Sequence, residues 1–214
     1  MKKYFAVAIL IACSASVFAG EAENLYENNF EKAEVGKVPE DFLVLDGGFA
    51  VQQEGGNKFL ELPGAPLDTF GLLFGPTETN NVSASARIFG TGKGRRFPAF
   101  AVGLNGVGGI KLQVSPGKKL VELYRGEEVA TTAPFIWESG AWTMLRLDVR
   151  KIRNGQLKVQ GKVWKQDTKE PPAWTVDYTL TGDLPAGRAA IWGNPYSGTP
   201  IRFDDLTVSS LADK

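Results

Sequence analysis

Histidine is absent from the chain of 214 residues, and cysteine occurs once, as Cys13. Histidine is the commonest general base and the usual nitrogen ligand of zinc. Its absence excludes Ser-His-Asp and Cys-His hydrolases and histidine-dependent zinc enzymes. A lone cysteine forms no internal disulfide and no cysteine-ligated metal site. The stability of the fold must therefore come from the burial of apolar surface.

Net charge is also lacking, because 24 basic side chains balance 24 acidic ones. Proteins that bind polyanions concentrate positive charge, so this balance is evidence against a nucleic-acid partner. The chain also lacks an apolar run long enough to span a bilayer, so the sequence predicts no transmembrane segment.

The apolar run nearest the start has the features of an export signal. Two lysines precede it, and small residues at Val17 and Ala19 occupy the positions that a signal peptidase prefers. We therefore predict a signal peptide over 1–19, and export of the mature chain 20–214 to the periplasm or the cell exterior. A rival interpretation starts from Leu10–Cys13, which resembles a lipobox and would give a lipid anchor through Cys13.

Apolar and polar residues alternate with period two along the mature chain, and no segment sustains a helical apolar stripe over three turns. The clearest strands are predicted at 82–88, 110–114, 144–152 and 157–164. Asn154–Gly155, between the last two, is a strong hairpin signal. Close-spaced Gly, Pro and Asn turns separate the other strands. The pattern predicts one all-β domain over 20–214, an antiparallel two-sheet β-sandwich of about a dozen strands.

Several motifs in the second half of the chain suggest a known architecture: Gly140–Trp142 entering a long strand, Gly161–Trp164, the loop Glu170–Trp174, Gly193–Asn194 and the last strand, Ile201–Val208. Together with an opening Asn-Phe-Glu strand they resemble the concanavalin A-like lectin/glucanase (LamG-like) jelly-roll domains of exported bacterial proteins. The resemblance covers about half of the chain, and one such sandwich hosts many functions.

The resemblance implies that the first and last strands pair antiparallel, which would bring Phe30 and Glu31 beside Phe203, Asp204 and Asp205. It further implies that Glu31, Asp204 and Asp205 contribute to a structural calcium site, because carboxylates and backbone carbonyls are the ligands of this hard cation. The alternative is that Asp204 or Asp205 is only solvated or hydrogen-bonded to a nearby turn.

Catalysis has little support in the sequence. Glucanases of this fold place their acids in a Glu-x-Asp-x-x-Glu strand, which is absent here. The adjacent pairs Glu127–Glu128 and Asp204–Asp205 are expected to point to opposite faces of their strands. A glycoside or 3-keto-disaccharide hydrolase built from distant carboxylates stays open as an alternative, as does a structural or protein-interaction module of the cell envelope.

We therefore predict that the protein binds a glycan, polysaccharide or other cell-surface polymer without catalysis. Such binding requires only flat aromatic faces and nearby polar groups. Trp142 and Trp164 are assigned to the apolar phase of their strands and are expected in the core. The residues expected at a ligand surface are Trp174, Trp192, Asn194 and Tyr196. The loop GTGKGRR favours a flexible hairpin, with a contact from Lys93, Arg95 and Arg96 to an anion or acidic glycan as the alternative.

Overall fold

The computed structural model describes residues 23–65, 68–196 and 198–212, and in these ranges the chain is all β, with fifteen strands. The predicted signal peptide and Cys13 lie outside the described residues, so export and lipidation stay predictions. No helix within the described ranges is long and apolar enough to cross a bilayer. The all-β prediction is confirmed.

Turns and loops join the strands, and they include 3₁₀ turns at Pro116–Lys118 and Arg153–Gly155. The strands are β1 (Asn24–Asn28), β2 (Leu43–Asp46), β3 (Ala50–Glu54), β4 (Asn57–Leu62), β5 (Phe70–Glu78), β6 (Val82–Phe89), β7 (Ala99–Leu104), β8 (Ile110–Ser115), β9 (Leu120–Arg125), β10 (Glu128–Pro134), β11 (Thr143–Lys151), β12 (Gln156–Lys165), β13 (Val176–Thr181), β14 (Gly187–Asn194) and β15 (Ile201–Ser210).

Two antiparallel sheets form the sandwich. The eight-stranded sheet has the order β13-β12-β11-β6-β15-β4-β3, and β1 also pairs with β15. The seven-stranded sheet has the order β10-β9-β8-β7-β14-β5-β2. The expected pairing of the first and last strands is confirmed, with Tyr26 opposite Val208, although Phe30 and Glu31 lie just beyond the end of β1. The hairpin predicted at Asn154–Gly155 joins β11 to β12 in continuous register.

The core lies between the sheets and is made by alternate residues of each strand. Leu112 and Ile191 from the seven-stranded sheet are fully buried, as are Leu147 and Val159 from the eight-stranded sheet. Each such side chain contributes about 1.5–3 kcal/mol by leaving water. Gly161 also faces this layer, where an added Cβ would lie 2.6 Å from a Leu112 methyl. The glycine therefore makes room for a leucine of the opposite sheet.

Trp142 and Trp164 do not lie in this core, so the prediction for both is wrong. Each occupies the phase of its strand opposite to the buried residues, and each is half-buried on the outer face of the eight-stranded sheet. Trp142 packs there against Phe59 and Phe89, with ring centroids 6.4 and 5.5 Å away. Trp164 lines a shallow surface depression of about 300 Å³.

The expected divergence of Asp204 and Asp205 is also wrong. The pairing of β15 with β6 shifts register between Asp204 and Thr207, which is a β-bulge. Asp205 there adopts a left-handed φ of 48°. The carboxylates of Asp204 and Asp205 converge on the guanidinium of Arg87, at 2.6 and 2.9 Å. The bulge therefore places two sequential acids on one face.

Candidate functional site

Two neighbouring depressions, of about 400 and 390 Å³, lie on the outer face of the seven-stranded sheet. Both are lined by Thr69, Lys111 and Tyr124, so they are continuous, and we call them together the outer cleft. Trp192 lines the first depression, and Asn194 lines the second. The cleft combines aromatic rings with polar side chains.

Strand register explains why these side chains share one face. Trp192 lies opposite Gly71 on β5 and Ala101 on β7, and Lys111 lies opposite Tyr124 on β9. Because side chains alternate between faces, the buried residues of β8 leave its polar residues, Lys111 among them, on the outer face. Pairing of strands that are far apart in sequence therefore assembles the cleft.

Trp192 lies flat over a floor without side chains. A Cβ added to Gly71 would fall 2.4 Å from Cε3 of the Trp192 ring, and one added to Gly103 would fall 3.2 Å from its Nε1. The indole can occupy this position because Gly71 lacks a side chain, and Gly103 gives it further room. One face of the ring covers the sheet, which turns the other face toward the cleft.

Lys111 extends across the aromatic residues of the cleft. Its Nζ lies 4.5 Å from the centroid of the Tyr124 ring and 5.9 Å from that of Trp192, which are cation–π contacts. Burial lowers the pKa of Lys111 from its usual value, and the nearby charge of Glu122 opposes that shift. The cleft therefore holds a partly desolvated ammonium group beside its largest ring.

A hydrogen-bonded network supports the floor between β8 and β9. The buried carboxylate of Glu122 accepts hydrogen bonds from Ser115 Oγ and, at 2.9 Å, from Lys118 Nζ. Gln113 Nε2 donates to the same serine oxygen at 3.0 Å. Burial alone would raise the pKa of Glu122, but these hydrogen bonds and the Lys118 charge outweigh burial and hold the pKa below its usual value. Glu122 is therefore an ionised structural group.

Replacing Glu122 with Gln is expected to lower the free energy of unfolding by about 1 kcal/mol at neutral pH, because a charged acceptor is lost. Since folding lowers the Glu122 pKa, its contribution is complete above the ordinary value of 4.5 and is lost as pH falls through the lower folded-state pKa. Urea unfolding at pH 7, 5 and 3 measures the difference. Glu128→Gln, at an exposed position, is the control, and a difference that is independent of pH would contradict the assignment.

Asn194 and Tyr196 line the second depression, at the end of the cleft. Asn194 Nδ2 donates to Thr69 Oγ1 at 2.7 Å and to the Asp68 carbonyl at 3.1 Å, which fixes the segment before β5. The backbone of Tyr196 forms a tight turn with Thr199, whose amide donates to the Tyr196 carbonyl at 2.9 Å. Three of the expected ligand residues, Trp192, Asn194 and Tyr196, therefore lie in one cleft.

The basic loop lies beside the cleft but does not line it. Lys93 and Arg96 pair across a tight turn, and both are exposed, as is Arg95. Phe97, the next residue, lines the second depression. The cations therefore lie within a few residues of the cleft wall.

Trp174 is separated from the other expected ligand residues. It lies between β12 and β13 of the eight-stranded sheet, where Lys162 Nζ is 4.6 Å from its ring centroid. Lys162 also pairs with Glu170 at 2.8 Å. The structure therefore does not bring Trp174 together with Trp192.

The residues expected to bind calcium do not fit such a site. Asp204 is fully buried and accepts hydrogen bonds from Arg87 at 2.6 Å and from Asn57 Nδ2 at 2.9 Å. Glu31 accepts from the backbone amide of Lys58. Arg87 supplies the positive charge that a cation would bring, and the part of the chain that the structure describes contains no group of three or more acidic side chains able to hold a metal. The calcium site stays a prediction, and these contacts weigh against it.

The sequence did not single out Lys111, Gln113 or Tyr124 as site residues. The alternation of apolar and polar residues in β8 did predict that Lys111 and Gln113 face solvent. Nothing local indicates that this face lies next to Trp192, because the contact depends on the order β8-β7-β14.

No protein-family model matches the chain, and no curated protein matches its sequence. Solved structures do match. Carbohydrate-binding module CBM66 from Bacillus subtilis aligns with a TM-score of 0.55 at 12% identity, over 79% of this chain and 96% of that one. A B. subtilis protein of unknown function with a galectin-like fold aligns with a TM-score of 0.58 at 12% identity, over 88% of this chain and 97% of that one.

The carbohydrate recognition domain of Emp47p aligns with a TM-score of 0.53 at 11% identity, over 87% of this chain and 96% of that domain. Identities this low show the fold and not the function. They do not single out the LamG-like group, which stays a prediction. The chain has the lectin-like, jelly-roll β-sandwich fold of the concanavalin A type.

Proposed function

We propose that the protein binds a carbohydrate in the outer cleft without chemical conversion. The observation that carries this proposal is the Trp192 ring, which lies flat on the floor made by Gly71 and Gly103 with polar groups at its edge. Support also comes from the structural neighbours, since one is a carbohydrate-binding module and another is a carbohydrate recognition domain.

The proposed binding follows from the chemistry of sugars. A pyranose has an apolar face of C–H groups, which stacks on the exposed face of the Trp192 indole. Its ring hydroxyls then meet the Lys111 ammonium and the Gln113 amide group, which occupy the same sheet face. Cavities of about 400 Å³ fall within the 300–1,000 Å³ typical of small-molecule sites. The two connected depressions suit a ligand of more than one sugar ring.

The hydrolase alternative has less support. Glycoside hydrolysis uses two carboxyl groups that flank the scissile bond. Glu127 is the one carboxylate among the described residues that line the two depressions. Glu122 lies beneath this face, but its contacts keep it ionised, whereas a catalytic acid needs a raised pKa. The hydrolase and the envelope-module interpretations stay predictions.

Trp192→Ala is expected to weaken carbohydrate binding about 30-fold or more, since a central buried aromatic residue contributes at least about 2 kcal/mol to recognition. A glycan array with residues 20–214 identifies the ligands. Isothermal titration calorimetry then compares the variant with the wild type.

Trp174→Ala is the matched control, because it removes the same side chain from the other sheet and is expected to leave the affinity unchanged. Thermal unfolding of both variants separates lost binding from lost folding. The proposal is wrong if the array shows no carbohydrate ligand, or if the Trp174 variant loses affinity while the Trp192 variant keeps it.

A further inference from the structure

We propose that the outer cleft selects an anionic carbohydrate, and that Lys111 binds its carboxylate or sulfate group. This inference rests on the proposed function and names the class of ligand. Uronic acids and sulfate esters both present a charged oxygen on a sugar ring. Binding measurements with matched probes distinguish the two classes.

The first observation is that the Lys111 ammonium lacks an anionic partner. It contacts the rings of Tyr124 and Trp192, but makes no ion pair within 4 Å with any carboxylate in the described ranges. On the eight-stranded sheet, the half-buried Lys158 pairs with Asp177, and the buried Lys162 pairs with Glu170. Lys111 therefore differs from these two lysines, which have carboxylate partners.

The second observation is that Glu122, whose charge acts on Lys111, is already engaged with other partners. Glu122 accepts hydrogen bonds from Ser115 and Lys118, and its charge reaches Lys111 through space only. A cation that is partly removed from water gains from a charged oxygen that enters the cleft. A neutral hydroxyl offers only a weaker hydrogen bond.

The third observation is the basic loop beside the cleft wall. Lys93, Arg95 and Arg96 are exposed, and none of them forms an ion pair with a described acidic residue. The loop continues into Phe97, which lines the second depression. Three unpaired positive charges at one end of the cleft favour a polyanionic glycan. Such a glycan would extend beyond the sugar ring that stacks on Trp192.

The test is calorimetry with two matched pairs of probes. The first pair is an oligogalacturonate and its carboxyl-reduced counterpart. The second is a chondroitin sulfate oligosaccharide and its desulfated counterpart. At least one acidic probe is expected to bind about tenfold more tightly than its counterpart, and the preference is expected to shrink as sodium chloride is raised. The pair that shows the preference identifies carboxylate or sulfate as the bound group.

Lys111→Met is expected to remove most of this preference, because it keeps an apolar side chain on Tyr124 and deletes the charge. Lys111→Arg keeps the charge and is expected to keep the preference. Lys158→Met removes the same charge from the other sheet and is the control. Thermal unfolding confirms that each variant folds.

The outcomes separate this inference from the proposed function. If neutral oligosaccharides bind through Trp192 as tightly as acidic ones, or if Lys111→Met keeps the full preference, the inference is wrong and carbohydrate binding stands. If neither the acidic nor the neutral probes bind, and the array shows no other ligand, both proposals are wrong.

Discussion

Replacing Asp204 with Ala is expected to lower the free energy of unfolding by about 3–5 kcal/mol. The Asp204 carboxylate is fully buried and accepts hydrogen bonds from Arg87, from Asn57 and, at 2.7 Å, from the backbone amide of Asp205. Removing it would leave a guanidinium that is 14% exposed without its closest counter-charge. An uncompensated buried cation is among the most destabilising consequences of a single substitution.

The contacts around Arg87 explain why the structure cannot easily relax. Its guanidinium lies 4.6 Å from the centroid of the Trp142 ring, and Asn57 Oδ1 accepts from its Nη2 at 2.9 Å. The exposed carboxylate of Asp205 remains as a second partner, but it lies in water and compensates only in part. The hydrogen bond from the Asp205 amide to the Asp204 carboxylate also supports the bulge, so its loss affects the backbone of β15.

Urea unfolding of Asp204→Ala, Arg87→Met and the double variant forms a double-mutant cycle. The double variant is expected to lose less free energy of unfolding than the two single variants lose together. The difference is expected to be about 1–3 kcal/mol, because the double variant removes both charges. Glu138→Ala breaks an exposed ion pair with Lys165 and is expected to have a much smaller effect on the free energy of unfolding. Purely additive single effects would show that the pair is not coupled.

Replacing Gly71 with Ala is expected to weaken the affinity for carbohydrate about 30-fold or more, although Gly71 has no side chain that could contact the ligand. The new Cβ would lie 2.4 Å from the Trp192 ring, which must move off the floor of the cleft. The strand itself accepts alanine, because Gly71 does not need a left-handed backbone. The effect on the free energy of unfolding is therefore expected to be much smaller than the effect on affinity.

Gly48→Ala is the matched control, since a Cβ there would meet Pro63 at an ordinary distance of 3.6 Å. Calorimetry and thermal unfolding of the two variants are compared with the wild type. Unchanged affinity in the Gly71 variant would mean that the flat position of Trp192 is not what the ligand recognises, and it would contradict the proposed binding geometry.

Local patterns in the sequence were sufficient to predict many of the strands and one of the hairpins. Alternation located β6, β8, β11 and β12 to within one or two residues, and Asn154–Gly155 located their hairpin. The same alternation also gives the correct faces of Trp142 and Trp164, which follow the polar phase of their strands and not the apolar one. The prediction was wrong because it assigned both tryptophans to the apolar phase of their strands.

Other features depend on distant contacts. The bulge that turns Asp204 and Asp205 to one face is a local break in period two, and no residue pattern marks it. Trp192 and Tyr196 were expected at a ligand surface, but their neighbours Lys111 and Tyr124 come from strands whose order is decided by packing of the whole sandwich. These residues line one cleft although they are separated by about a third or more of the chain.

The glycine floor under Trp192 has a consequence for the thermodynamics of recognition. A ring held against Gly71 and Gly103 has already lost its rotamer freedom before a ligand arrives. Ordering such a side chain on binding would otherwise cost about 0.5–1.5 kcal/mol. A carbohydrate bound as proposed would therefore stack on a ring that is already in place, at a smaller entropic cost.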